Sequence, residues 1–90
     1  MSLDAKDANY KAIRYLMEIM PRVGDSKDIR LEEVEFDKEN NFWALTYSYP
    51  DPDEPTYFAG LTPFGVRRQA KVIRVNADDG SFVALKQFVA

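Results

Sequence analysis

Residues 66–89, VRRQAKVIRVNADDGSFVALKQFV, hold the feature that most narrows the fold, an Asp79-Gly80 pair set between two runs of β-type residues. Glycine takes the left-handed backbone that a short reversal needs, and β-branched and aromatic side chains suit a pleated surface, so the stretch predicts a β-hairpin. Alternation puts Ile73 and Val75 on one face with Val83, Leu85 and Val89. It leaves Val72, Arg74, Phe82, Lys86 and Phe88 on the other. Both faces of the hairpin therefore carry apolar groups.

A second hairpin is predicted in DIRLEEVEFDKENNFWALTYSYP, with its turn in Asp37 to Asn41, where turn formers cluster. Its second arm sends Trp43, Leu45, Tyr47 and Tyr49 to the core, alternating with Phe42, Ala44, Thr46 and Ser48. In the first arm the apolar phase switches between Ile29/Leu31 and Val34/Phe36. One inserted residue switches faces, so a bulge is expected near Glu32 and Glu33. Ahead of both hairpins, Tyr10, Ile13, Leu16, Met17 and Met20 recur at three- and four-residue spacing, which predicts an amphipathic helix from Asp4 to Met20. Ser2 or Asp4 supplies its cap, and Pro21 and Gly24 stop it.

Ninety residues with 46% apolar content support one core and are too apolar for a disordered chain. The expected architecture is a single α+β domain over residues 1–90, one N-terminal amphipathic helix packed on a four-stranded antiparallel sheet in the order α-β-β-β-β. A single helix is too narrow to shield the whole sheet. The bare apolar side chains would each forgo about 1.5–3 kcal/mol of burial unless another body covered them.

Between the hairpins, Pro50, Pro52 and Pro55 cannot donate ladder hydrogen bonds, so the strand is expected to end near Tyr49 and the chain to leave the sheet until about Gly65. Connections of this length tend to be functional or disordered, and Tyr57, Phe58, Leu61 and Phe64 argue for packing. Two readings stay open: the segment folds onto its own sheet, or it contacts another chain.

Composition removes several kinds of chemistry. With neither cysteine nor histidine, disulfides, thiolate nucleophiles, histidine triads and His- or Cys-based metal sites are out of reach. Asp51, Asp53 and Glu54 do not follow the spacing of a calcium loop and read as a solvated turn, so no metal and no cofactor are expected. Glu32, Glu33, Glu35, Asp37 and Glu39 read as a solvent face with edge protection. A carboxylate enzyme would need acids such as Asp25, Asp28 and Glu33 to converge. The net charge of −3 disfavours nucleic acid, although Arg68, Arg74 and Lys86 share a predicted face with Val72, Phe42 and Phe88, as a stacking platform for single strands would. No stretch approaches the ~20 apolar residues of a membrane span and no secretory leader is evident, so a cytoplasmic address is expected.

The stretch AKVIRVNADDGSFVALK, residues 70–86, resembles the terminal hairpin of PepSY-type domains, and NYKAIRYLMEIMP followed by strands is similar to the helix of that group. With FWALTYSYP, the whole also resembles small bacterial proteins built from a helix, a Trp-containing strand, a basic strand and an Asp-Gly hairpin. The PepSY resemblance implies binding and restraint of a protease, or sensing outside the cytoplasm.

From the residues themselves, the expectation is a non-enzymatic protein-interaction module that self-associates as a homodimer through an exposed sheet face and residues 50–65. Phe42, Tyr57, Phe58, Leu61, Phe64, Val72, Arg74, Phe82 and Phe88 are the candidate contacts. The alternative is an inhibitor or regulator that presents the acidic proline-rich loop to a protein partner. A carboxylate enzyme and a single-stranded nucleic-acid binder rank below both.

Overall fold

A computed structural model describes residues 3–24, 28–50 and 68–88. Helix α1 (Ala5–Ile19) starts at Asp4, whose carboxylate accepts a hydrogen bond from the Asp7 backbone N–H at 2.8 Å. That contact selects Asp4 rather than Ser2 as the cap. Met20 closes the helix by donating its N–H to Leu16 O. Pro21 then opens a one-turn helix, α2 (Pro21–Gly24), as the fixed φ of proline favours at a first helical position.

The helix buries Ala8, Ala12 and Leu16, one line at i, i+4 spacing, with Ile13, Tyr15 and Met20 packed beside it. This shifts the stripe expected from apolarity alone, because Tyr10 is 63% and Met17 41% exposed. Two methyl side chains let the helix backbone approach the sheet closely, so the alanines take the line of contact and the larger groups are turned aside. Tyr10 instead lies beneath the guanidinium of Arg14, 5.7 Å from its ring centre.

The strands are β1 (Arg30–Asp37), β2 (Phe42–Pro50), β3 (Arg68–Asn76) and β4 (Phe82–Gln87), antiparallel in the spatial order β1-β2-β3-β4. The chain is thus the α+β layer expected, with one face packed by the helix and the other, called the open face, covered by no described helix. Asp37 ties the first turn by accepting from the backbone and side-chain nitrogens of Asn40, and Asn41 takes the left-handed conformation at φ 56°. In the second turn Asn76 Oδ1 accepts from the backbone of Asp78 and Asp79, and Gly80 sits at φ 74°. The first hairpin carries the expected bulge: pairing slips between Leu31 and Glu33, leaving Glu32 as the extra residue.

The second hairpin departs from simple alternation. Arg74 pairs with Ala84 while Val75 pairs with Phe82, so Val83 is inserted and the phase of β4 changes at its start. Phe82 therefore does not join Val72 and Arg74 on the far face. It stands across from Val75 on the helix face, its ring 5.5 Å from that of Tyr15.

Leu45, Tyr47, Tyr49, Ile73 and Val75 meet Ala8, Ala12, Leu16 and Val23 in one core. The polar tips at its margin all find partners. Tyr47 Oη donates to Asn9 Oδ1 at 2.6 Å, Trp43 Nε1 to Leu3 O at 3.1 Å, and Tyr15 Oη to Gly80 O at 3.1 Å. Burial pushes the Tyr47 phenol well above the ordinary tyrosine range. Tyr57, Phe58, Leu61 and Phe64, with Asp25, Asp51, Asp53, Glu54 and Val89, lie outside the described residues.

Candidate functional site

Both helices pack on the face that carries Leu45, Tyr47 and Tyr49, so the alternate residues of every strand form the open face. The pairing fixes its rows. Glu35, Ala44, Arg74 and Ala84 lie side by side across the four strands. The next row is Glu33, Thr46, Val72 and Lys86. Beyond it, Arg30, Ser48 and Ala70 are continued by Phe88, whose N–H donates to Ala70 O at 3.3 Å. At the opposite end stand Asp37, Phe42 and Asn76.

Read down the strands, these rows sort by charge. β1 presents Glu33, Glu35 and Asp37, with Arg30 only at its far end, β2 presents the short side chains Ala44, Thr46 and Ser48 beyond Phe42, and β3 with β4 presents Arg68, Arg74 and Lys86. An acidic edge and a basic flank are thus held apart by a trough one strand wide. Adjacent strands lie about 4.8 Å apart, which places the Glu35 and Arg74 backbones about 10 Å from each other with Ala44 between. Among the described residues Arg74 makes no ion pair. Its guanidinium stacks over the Phe42 ring at 5.0 Å, and its Nε is buried with no hydrogen-bond partner.

The end near Ser48 is internally satisfied. Arg68 donates to the Asp28 carboxylate at 2.8 Å, to Asp28 O at 2.9 Å and to Ser48 Oγ at 3.0 Å. Ser48 Oγ in turn donates to Glu32 Oε1 at 2.6 Å, through the bulge residue of β1. Thr46 and Ser48 are buried polar residues on a face that no described helix covers, each flanked by longer neighbours. Hydrogen bonding from Arg30, with the charges of Arg30 and Arg68, holds the Asp28 carboxyl below the ordinary aspartate range. Asp37 is lowered as well, first by the Asn40 side chain and backbone, with the charge of Arg74 adding to them.

Of the residues singled out in the sequence, Phe42, Val72, Arg74 and Phe88 do come together on the open face. Phe42 and Val72 are half-buried and Phe88 is 39% exposed. Phe82, 43% exposed, belongs to the rim of the helix face instead. Asp28 and Glu33 do not converge as a catalytic pair. Asp28 is bound to Arg30 and Arg68, while Glu33 stands in the row of Thr46. Among the described residues no cluster of three or more acids has the arrangement of a metal site. No described helix is long and apolar enough to cross a membrane.

Sequence reasoning missed the role of Glu33 and Glu35 as one wall of a trough, and of Ala44, Thr46 and Ser48 as its floor. Their period-two spacing was readable, but their relation to Arg74 required the β2–β3 register. What this arrangement can do chemically is attract a surface of the complementary charge pattern. Comparison with family models, with curated proteins and with solved structures finds no match for the chain, so the functional argument rests on this face.

Proposed function

We propose that the chain is a non-enzymatic interaction module that pairs with a second copy of itself through the open face of its sheet. One observation carries the reading: a single face holds an acidic edge, a basic flank and a low floor between them. A surface with both signs side by side is complementary to itself, which is the requirement of an isologous contact. Phe88, Val72 and Phe42 add apolar area around the charges, and sheets pack face to face about 10 Å apart.

The face is small. Four strands of about seven residues each give at most roughly 450 Å² per copy, below the usual size of specific interfaces, so association is expected to be weak. Multi-angle light scattering and sedimentation equilibrium from low micromolar to millimolar protein test the reading. Mass rising toward twice that of the chain, and falling back in high salt, supports it. A single-chain mass at every concentration rejects it.

A further inference from the structure

If the open face pairs with itself, its charges restrict how. A two-fold axis lying across the strands would set β1 over β1 and acid against acid. An axis running along β2 does the opposite, since it carries each β1 over the β3 of the other copy and keeps every residue at its own height along the strand. We infer that two copies dock face to face about a two-fold axis along β2, with Glu35 of each copy reaching Arg74 of the other.

This inference rests on the self-association reading and adds its geometry. Glu35, Ala44 and Arg74 share one row, so the rotation leaves Ala44 against its own symmetry mate and sets Glu35 directly over Arg74. Thr46 meets Thr46 in the next row, and Glu33 comes over Val72 within reach of Lys86. The angle of about 30° at which aligned sheets pack displaces facing residues on β1 and β3 by only a few ångströms, within the reach of glutamate and arginine side chains. Arg74 is suited to receive a carboxylate, because its guanidinium carbon is held 5.0 Å from the Phe42 ring centre and it makes no ion pair among the described residues. An arginine so held loses little freedom on accepting a carboxylate. The cluster of Asp28, Arg68, Ser48 and Glu32 is already satisfied and contributes shape rather than pairing.

Charge reversal with mixing tests the geometry. Glu35→Arg alone sets arginine against Arg74 in both symmetry-related contacts, and Arg74→Glu alone sets glutamate against Glu35. Each variant is expected to associate on the order of tenfold or more weakly than the parent chain. Mixed one to one they regain opposite charges in both contacts, so the mixture is expected to form the heterodimer at parent-like concentration. Recovery in the mixture also establishes that both variants are folded.

A second measurement does not depend on the reversals folding. The parent chain has no cysteine, so Ala44→Cys introduces a lone thiol on the axis, its backbone about 10 Å from that of its mate, while Ala84→Cys lies two strands off the axis and is displaced from its mate by about 19 Å along the sheet. With a bismaleimide long enough to bridge the ~10 Å sheet spacing but not the wider separation, the Ala44→Cys chain is expected to crosslink and the Ala84→Cys chain to lag well behind. If the parent chain dimerises but neither reversal weakens it, or Ala84→Cys crosslinks first, the axis is wrong and self-association stands. Reversals that weaken association without recovery on mixing also reject the axis. A parent chain that stays monomeric removes both conclusions.

Discussion

On β2, Leu45, Tyr47 and Tyr49 turn toward the helix, while Ala44, Thr46 and Ser48 turn away. The first set is completed within one chain, with Leu45 at 0% exposure and hydrogen bonds from Tyr47 to Asn9 and from Tyr49 to the sulfur of Met20. The second set is completed only at one end. Ser48 has Glu32 and Arg68, but in the row of Ala44 Arg74 makes no ion pair among the described residues. One strand thus serves two purposes through its two-residue period, a core that is closed and a face that still offers charge.

The sharpest way to break that contrast is to truncate one residue on each face. Leu45→Ala removes a fully buried side chain beneath the helix and is expected to cost about 2–5 kcal/mol of unfolding free energy. Val72→Ala on the half-buried open face is expected to cost less than about 1.5 kcal/mol. Urea unfolding in dilute solution, where copies are separate, gives both values. Equal losses would mean that one chain closes its open face as fully as its core.

Gly80 tests how firmly the helix face is tied to the second turn. It holds φ 74° and accepts the Tyr15 hydroxyl on its carbonyl. An added Cβ would meet Leu3 Cδ1 at 2.7 Å and the stem of Lys11. The side chains can shift, but the left-handed backbone remains strained for any other L-residue, so Gly80→Ala is expected to cost about 1–2 kcal/mol. A thermal melt checks it, and unchanged stability would separate the turn from the closed face.

Tyr47→Phe is a finer probe of the same face. Removing the hydroxyl that donates to Asn9 is expected to cost about 1 kcal/mol. It should also alter the alkaline limb. The folded Tyr47 holds its proton above the ordinary value of 10.0, so its share of stability is full below that pH and is lost as pH rises through the higher folded value. The parent chain is therefore expected to lose stability above pH 10 more steeply than Tyr47→Phe, followed by unfolding and by tyrosinate absorbance. Parallel limbs would mean that the phenol is open to water.

The parts of this contrast legible in sequence were those set by local chemistry. Alternation from Phe42 to Tyr49 assigned both faces of β2, and the bulge at Glu32 showed because large apolar residues change phase across it. The bulge at Val83 left no such trace, since Phe82 and Val83 are adjacent and both apolar, and Phe82 was expected on the wrong face. Tyr10 and Met17 misled for a related reason: hydrophobicity ranks them above the alanines, but close approach of helix to sheet favours the smaller residues. The alignment of Glu35 with Arg74 was out of reach because β2 and β3 are joined through residues 51–67, and a connection of that length does not set register.

The smallest expected effect belongs to the satisfied end of the open face. Asp28 accepts from Arg30 and Arg68, and these contacts hold its carboxyl below the ordinary value of 3.8. A lowered carboxyl contributes stability that is present above the unfolded value and lost as pH falls through the folded one, so its signature is confined to the region below about pH 4. The Asp28 side chain is half exposed and water screens it and Arg30, so Asp28→Asn is expected to change stability at neutral pH far less than Leu45→Ala, and less again in high salt. Acid titration should show the small gap between parent and variant hold above that window and close within it, as the parent carboxyl takes up its proton. A loss at neutral pH comparable to that of Leu45→Ala would instead make the Arg68 cluster a second structural core, and the open face would no longer be a surface held ready for another chain.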